Sequence, residues 1–231
     1  RYNEDIFKRS LTIPEGKNHG FVMFIDWSSS MRSNAYNTMK QLYSLVLFCR
    51  RIQVPFEVFS FTSHHWNTRN VKTMEYVDSS EHMAFACKTP IIKNILSSRM
   101  NSSEFNLAIT CLFAMAYDVN SHSYERIGFV PDSMGGTPLN ETIVIAERII
   151  NKFKKNNKIE IVNTIFLTDG DGVTPSTFNL SRNKENVIIC QDPLTKKEYQ
   201  IKSSVIDGDY VNNKEYTNMF LRSLKDRTNC N

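Results

Sequence analysis

A short apolar run that ends in a carboxylate constrains the fold of this chain more than any other segment. Residues 21–25 are continuously apolar, which is typical of a strand buried on both faces of a parallel sheet. Asp26 follows at the end of that strand, and Ser28 and Ser30 complete an Asp-x-Ser-x-Ser pattern. Ligands of open α/β sheets bind at the carboxyl ends of the strands. We therefore expect these three side chains to converge on one point, which suits a hard cation.

The same three residues have a second interpretation. Asp and Ser are preferred at helix N-termini, and the chain is predicted to become helical directly after this segment. Considered alone, the segment leaves a helix cap and a metal site equally open as explanations of Asp26, Ser28 and Ser30.

A second segment with a candidate ligand precedes a helix predicted over residues 139–153. Thr137 would be a natural N-cap of that helix, because Pro138 suits its first turn. Gly135 and Gly136 add a feature that capping does not require, since glycines let the backbone approach a neighbouring loop closely.

A third segment resembles the first in its arrangement. Residues 159–168 form a nearly continuous apolar run, which predicts another buried strand. Asp169 stands at its carboxyl end, where it would add a second carboxylate to the same edge of the sheet. The alternative interpretation is a plain Asp-Gly turn, and we interpret Asp171 as a residue of such a turn.

The order of the predicted elements indicates the fold class. A helical period over residues 36–51 lies between strands predicted at 21–25 and 56–61, and this order implies a parallel pair with a right-handed crossover. Further helices are predicted at 105–117 and 214–227. We predict an α/β fold with a doubly wound, mainly parallel central sheet and helices on both faces.

One domain is expected over residues 21–231, after a lead-in segment at 1–20. An irregular stretch at 71–103, with short candidate helices at 80–86 and 89–96, and a hairpin-like excursion at 186–203 would decorate it. The chain begins with Arg, and a sheet of this kind is expected to continue into another strand after the last helix. We therefore expect the domain to be truncated at one or both ends.

Composition argues against several classes of partner. The 28 Lys+Arg and 24 Asp+Glu leave a formal charge of +4, and the basic residues are scattered apart from a cluster at a predicted helix end (Lys152, Lys154, Lys155, Lys158), so no nucleic-acid partner is expected. No apolar run reaches transmembrane length, so no membrane partner is expected either.

The five cysteines lack a Cys-x-x-Cys pair, which favours reduced thiols in the cytoplasm. The cluster of His64, His65 and Trp66 is interpreted as an exposed loop.

Taken in order, these segments resemble the metal-ion-dependent adhesion site of von Willebrand factor A (VWA) domains. The resemblance spans nearly the whole chain and implies a metal site formed by Asp26, Ser28, Ser30, Thr137 and Asp169. The implied ion is Mg²⁺, with Mn²⁺ or Ca²⁺ as alternatives. Within the superfamily the motifs are most similar to the VWA domain of CobT-type cobaltochelatase subunits and their phage-encoded relatives. Two departures are Ser29 in place of the usual glycine and Gly-Asp-Gly after Asp169 in place of Gly-x-Pro.

The resemblance implies a binding module in the cytoplasm of a bacterium or phage-infected cell. Neutral hydroxyl ligands leave a bound Mg²⁺ with uncompensated charge, so an Asp or Glu carboxylate of a partner protein can complete its shell. The implied partner is an AAA+ ATPase of the MoxR/chelatase type. An alternative is an accessory subunit of a chelatase that inserts cobalt or magnesium into a tetrapyrrole. A hydrolase or peptidase ranks lowest, because neither His-Glu-x-x-His nor a nucleophile elbow is present and no catalytic residue is identified.

Overall fold

The computed structural model describes residues 18–63, 90–120, 134–170, 172, 187–192, 194–202 and 213–231. The strands in these segments are β1 (His19–Asp26), β2 (Phe56–Thr62), β3 (Ile91–Ser97), β4 (Ile161–Leu167), β5 (Val187–Gln191) and β6 (Glu198–Lys202). The α-helices are α1 (Ala35–Arg51), α2 (Ser102–Asn120), α3 (Leu139–Asn157) and α4 (Asn213–Thr228). A 3₁₀ turn, Ser29–Ser33, lies between β1 and α1.

Within the described residues, the central sheet has four strands in the order β3-β2-β1-β4. β1 pairs in parallel with both β2 and β4, whereas β3 pairs antiparallel with β2 at the outer edge. Doubly wound sheets begin with this order, and many of them carry an antiparallel edge strand. The predicted α/β class with a mainly parallel central sheet is confirmed.

The side chains of β1 alternate between two cores. Met23 and Ile25 pack on the side of α1 and α2, whereas Val22 and Phe24 pack on the side of α3 and α4. The Phe24 ring stacks on Phe166 of β4 with a centroid distance of 4.8 Å. Helices therefore cover both faces of the sheet, as predicted, and β1 is continuously apolar because both of its sides are buried.

The prediction of a short helix at 89–96 is wrong, because Ile91–Ser97 is a strand. Its pairing with β2 shifts by one residue, so that Ile95 and Leu96 both pack on the α1 and α2 side of the sheet. Such a bulge interrupts the period-two alternation by which a strand is recognised in a sequence. The apolar residues of this strand, Ile91, Ile92, Ile95 and Leu96, consequently have a spacing that resembles that of a helix. The other candidate helix, at 80–86, lies outside the described residues.

The predicted excursion near the end of the chain is an antiparallel pair of β5 and β6, with Gln191 opposite Glu198. Asp192 organises the turn between them. Its Oδ1 accepts hydrogen bonds from the backbone N–H groups of Leu194 and Thr195, at 2.8 and 3.0 Å.

Asp192 also holds this hairpin against α4. Arg227 donates to both of its carboxylate oxygens, at 2.7 and 3.0 Å, and the Ser223 hydroxyl donates to Oδ2 at 2.6 Å. Burial alone would raise the pKa of Asp192, but the hydrogen bonds from Arg227, Ser223 and the turn backbone outweigh it and hold this pKa well below its usual range. Arg227 also reaches Glu147 of α3 at 2.7 Å, so one guanidinium joins three elements.

The described segments also show whether a helix could cross a membrane and whether their cysteines are oxidised. Within the segments described above, no helix is both long and apolar enough to cross a bilayer. The cysteines that lie in these segments are free thiols (Cys49, Cys111, Cys190, Cys230). Burial raises the pKa of the Cys49 and Cys190 thiols, so these two stay neutral and pack as small apolar side chains.

Candidate metal centre

The two candidate carboxylates lie at the same edge of the sheet. Asp26 is the last residue of β1, and Asp169 follows closely after the end of β4. These two strands are parallel, with Ile25 opposite Leu167. The chain leaves β1 toward β2 on one side and reaches β4 on the other, so the strand order reverses between β1 and β4. Ligands of doubly wound folds bind at such a switch point.

Hydrogen bonds connect four of the five predicted site residues. The Ser28 and Ser30 hydroxyl oxygens lie 2.9 Å apart, and the Ser30 hydroxyl donates to Asp169 Oδ1 at 2.9 Å. The backbone N–H of Ser28 donates to Asp26 Oδ1, also at 2.9 Å. The structure thus brings Asp26, Ser28, Ser30 and Asp169 into one cluster.

Thr168 belongs to this cluster, although the sequence analysis assigned it only to the end of a strand. Its hydroxyl donates to Asp26 Oδ2 at 2.7 Å, so that both carboxylate oxygens of Asp26 accept hydrogen bonds. The available signal was a hydroxyl side chain directly before Asp169 at the carboxyl end of a predicted buried strand. Thr168 joins the end of β4 to the end of β1.

The cluster has a buried floor and an exposed rim. Asp26 and Ser28 are 0% and 1% exposed, whereas Ser30 and Asp169 are exposed. Burial raises the pKa of Asp26 because it disfavours the charged carboxylate; hydrogen bonds from Thr168 and Ser28 oppose this effect, and the negative charge of Asp169 adds to it. A divalent cation bound between the two carboxylates would compensate their charges.

Residues 134–136 join the cluster through their backbone. Ser28 and Gly135 form a parallel β-bridge, and the Ser29 N–H donates to the Gly135 carbonyl oxygen at 2.8 Å. The Ser29 hydroxyl donates to the Met134 carbonyl oxygen at 3.1 Å. The segment before α3 therefore lies directly against the loop that carries Ser28 and Ser30, two of the candidate ligands.

The paired glycines also contact the end of β2. The Gly135 N–H donates to Thr62 Oγ1 at 3.0 Å, and the Gly136 N–H donates to Ser63 Oγ at 2.7 Å. A Cβ atom at Gly135 would lie against the Ser63 carbonyl oxygen and 2.9 Å from Thr62 Oγ1. The close backbone approach predicted for these glycines is present, and it joins β2 to the cluster. Thr62 and Ser63 are supporting residues that sequence reasoning missed.

Gly135→Ala is expected to destabilise the protein by about 1–3 kcal/mol, the usual cost of overpacking. The added Cβ meets a backbone carbonyl, so the main chain between β2 and the serine loop must shift. Urea unfolding measures the loss. Gly170→Ala, in the loop beside Asp169, is the matched control, because among the described residues, apart from its chain neighbours, no atom lies within 4 Å of a Cβ atom there. Equal stability of the two variants would contradict the packing role of Gly135.

Thr137 lies next to the glycine pair but does not cap α3. This helix begins at Leu139 with Pro138 as its N-cap residue, and no side chain caps it. Among the described residues, none forms a hydrogen bond with the Thr137 hydroxyl, so the structure does not join it to the other four predicted ligands. The capping interpretation also fails at Ser28, which precedes the 3₁₀ turn without a side-chain cap hydrogen bond.

His64, His65, Trp66 and Asp171 lie outside the described residues. The exposed loop proposed for the first three and the turn proposed for the last therefore stay predictions.

The chemistry of the candidate ligands fits a hard cation. All five offer oxygen, from two carboxylates and three hydroxyls, and oxygen ligands are those that Mg²⁺ and Ca²⁺ prefer. In the part of the chain that the structure describes, no group of three or more His, Cys, Asp or Glu side chains comes together. A metal ion held here would therefore depend on the serine and threonine hydroxyls as well as on the carboxylates.

Comparisons of this chain with protein-family models, with curated proteins and with solved structures give no match. The resemblance to VWA domains stays a prediction from the motif residues.

Proposed function

We propose that this chain is a Mg²⁺-dependent protein-interaction module of the VWA type, whose ion is held by Asp26, Ser28, Ser30, Thr137 and Asp169. The observation that carries the proposal is the contact between Ser30 and Asp169, which spans 139 residues of sequence at 2.9 Å. Helix capping and tight turns need only local partners. A serine loop and a distant carboxylate meeting at the switch point of the sheet favour a shared ligand.

The residues of the cluster have distinct parts in holding an ion. Asp26 supplies a buried charge, and the Ser28 N–H and the Thr168 hydroxyl fix the orientation of its carboxylate. The hydroxyls of Ser28 and Ser30 can rotate to turn a lone pair toward a cation. Asp169 adds a second charge at the exposed rim. The bound Mg²⁺ would supply a Lewis-acidic position open to a carboxylate oxygen of another protein.

The partner we propose is an AAA+ ATPase of the MoxR/chelatase type that presents an Asp or Glu side chain. The exposure of Ser30 and Asp169 supports a macromolecular partner, because the rim of the cluster is accessible from solvent. The choice of an AAA+ ATPase rests on the CobT-type resemblance of the motifs. A cytoplasmic location is part of the proposal, and the free thiols of the described cysteines support it.

Binding to a MoxR-type ATPase from the same genome should depend on Mg²⁺ and on Ser30. With the ATPase immobilised for surface plasmon resonance, the wild type is expected to bind in Mg²⁺ and to lose binding in EDTA. Ser30→Ala removes one hydroxyl ligand at the exposed rim and should weaken binding by about tenfold or more, equivalent to about 1.4 kcal/mol. Ser33→Ala, an exposed serine in the same 3₁₀ turn, is the matched control and should bind as the wild type does.

Two results would contradict the proposal in different ways. Undiminished binding in EDTA would exclude a metal-dependent contact. Absence of binding in Mg²⁺, together with measurable Mg²⁺ binding by the isolated protein, would retain the metal centre and exclude this ATPase as its partner.

A further inference from the structure

A fully buried amide side chain lies at the start of α3. Asn140 is the second residue of this helix and is 0% exposed. Its Oδ1 accepts a hydrogen bond from the Thr217 hydroxyl of α4 at 2.8 Å, and Thr217 is buried as well. Separating the two partners would cost this hydrogen bond in a place that water does not reach. The pair therefore holds the Asn140 side chain in one position between the two helices.

Gly172 packs directly on the same amide. A Cβ atom at Gly172 would lie against Asn140 Oδ1 and 2.7 Å from Asn140 Nδ2, and its three nearest contacts would all be atoms of this one side chain. The φ angle of Gly172 lies outside the left-handed region, so glycine is needed here for space and not for its backbone conformation. Three residues after Asp169, the chain thus lies against Asn140.

The loop that carries Asp169 is also anchored before this carboxylate. The Thr168 hydroxyl donates to Asp26 Oδ2 at 2.7 Å and accepts from the Gly170 N–H at 3.3 Å, which joins the loop to β1. The hydrogen bond between Ser30 and Asp169 itself is exposed, so water competes for it. The position of the Asp169 carboxylate therefore depends on the two anchors of its loop.

We propose that Asn140 is a positioning residue of the candidate metal centre. Held by Thr217, it fixes the loop of Asp169 relative to the start of α3, where Thr137 precedes the first helical residue by two positions. Mg²⁺ demands nearly ideal octahedral geometry, so a small shift of one ligand weakens its binding. The effect on ion binding rests on the proposed function, whereas the anchoring of the loop rests only on the contacts of Asn140 with Thr217 and Gly172.

Thr217→Val tests this inference from outside the candidate ligands. Valine keeps the shape of threonine but removes the hydroxyl that donates to Asn140. Thr217→Ser keeps that hydroxyl and is the conservative variant. Thr228→Val is the matched control, because Thr228 is also buried on α4 and its hydroxyl donates to the Leu224 carbonyl oxygen of the same helix at 2.7 Å.

Calorimetric titration is expected to show about tenfold weaker Mg²⁺ binding by Thr217→Val, the lower end of the usual effect of losing a hydrogen bond behind a metal site. Thr217→Ser and Thr228→Val should bind Mg²⁺ as the wild type does. Equal affinities in all four proteins would overturn the positioning role and leave the metal centre intact. Equally weakened binding in both valine variants would also overturn it, because a general loss of stability would then explain the effect.

The ¹⁵N relaxation of the Gly172 amide in EDTA tests the anchoring without an ion. In Thr217→Val its order parameter should fall from about 0.85, which is typical of rigid backbone, toward about 0.6. The other three proteins should keep the higher value. An unchanged order parameter in Thr217→Val would overturn the anchoring, even if Mg²⁺ binding were weaker. If the wild type binds no Mg²⁺, the proposed function fails, and a Gly172 amide that is mobile only in Thr217→Val would still support the anchoring by Asn140.

Discussion

Asp26→Asn is expected to abolish the stabilisation of this protein by Mg²⁺. An ion that binds only the folded state stabilises it by about 2.7 kcal/mol at a concentration one hundred times its dissociation constant. For a chain of this size, that shifts the unfolding temperature by roughly 5–10 °C. Asn keeps the shape of the side chain and an oxygen for the Ser28 N–H, but it removes the buried charge that would face a bound ion.

The same substitution is not expected to destabilise the protein in EDTA. Asp26 is fully buried, and burial of its charge without a cation opposes folding. An amide in its place removes that charge, and its N–H₂ group can donate to the Thr168 hydroxyl, which is 2.7 Å from Asp26 Oδ2. The difference between wild type and variant should therefore appear only when Mg²⁺ is present.

Calorimetric titration with Mg²⁺ and Mn²⁺, run beside thermal unfolding, measures both parts of this prediction. Glu160→Gln is a suitable control, because it neutralises an exposed carboxylate beside the opposite end of β4. The control should bind and respond to Mg²⁺ as the wild type does. Equal Mg²⁺ shifts for wild type and Asp26→Asn would remove Asp26 from the ligand set. A large loss of stability in EDTA would give Asp26 a structural role instead.

Arg227→Ala is expected to cost roughly 3 kcal/mol of folding stability. The Asp192 side chain is 1% exposed and the Arg227 side chain 20%, and removal of one partner from a buried ion pair typically costs about 3–5 kcal/mol. The lower end applies because Arg227 is partly exposed. Without the guanidinium, the buried Asp192 carboxylate keeps its charge but loses two hydrogen bonds. Arg227→Lys should recover only part of the loss, since an ammonium group cannot form the bidentate pair.

Urea unfolding distinguishes this loss from the removal of any ion pair. Lys197→Ala breaks the 2.6 Å contact between Lys197 and Asp226, which are both solvent-accessible, and it should change stability much less. Asp192→Asn combined with Arg227→Met should cost less than Arg227→Ala, because the fully buried side chain at position 192 is then neutral and carries no unpaired charge. Equal losses in Lys197→Ala and Arg227→Ala would mean that the buried pair of Asp192 and Arg227 stabilises the protein no more than an exposed ion pair between the same hairpin and α4.

The pair between Asp192 and Arg227 should also make stability depend on acid pH. The folded-state pKa of Asp192 lies below its ordinary value, so its contribution to stability is fully present above about pH 3.9 and is lost as pH falls from there through the lower folded-state pKa. In Arg227→Ala this acid-dependent part should shrink, because the main favourable partner of the carboxylate is gone. Parallel pH profiles of wild type and variant would contradict the assignment.

Prediction from the sequence succeeded where the signal is local. The apolar run of β1 and the helical periods of α1 and α3 can be recognised within each segment alone, because its own residues show which of its sides is buried. These elements and the α/β class could therefore be derived from the sequence. β3 was predicted as a helix because its bulge opposite β2 is a property of two strands together. The sequence of β3 alone does not indicate that register shift.

The candidate site was predicted only in part for the same reason. That Asp26, Ser28, Ser30 and Asp169 come together could be predicted because carboxylates and hydroxyls follow buried strands, and parallel strands end at one edge. Thr168, Thr62 and Ser63 were missed because their importance arises from contacts across strands. Thr137 was predicted from a motif, and the structure shows it beside the cluster without a hydrogen bond to it.

The sequence by itself determined which segments are buried, the order of strands and helices, and which polar residues stand at strand ends. These features could be derived because hydrophobic periodicity and the direction of a parallel strand depend on neighbouring residues in the sequence. Only the tertiary structure showed that Ser30 bonds to Asp169 and that Gly135 packs tightly against the end of β2. It likewise showed that Arg227 pairs with Asp192 and that the backbone of Asn231 bonds to β4. Each of these contacts joins residues far apart in the chain. Their distances depend on strand register and helix packing, which arise only when the whole core assembles.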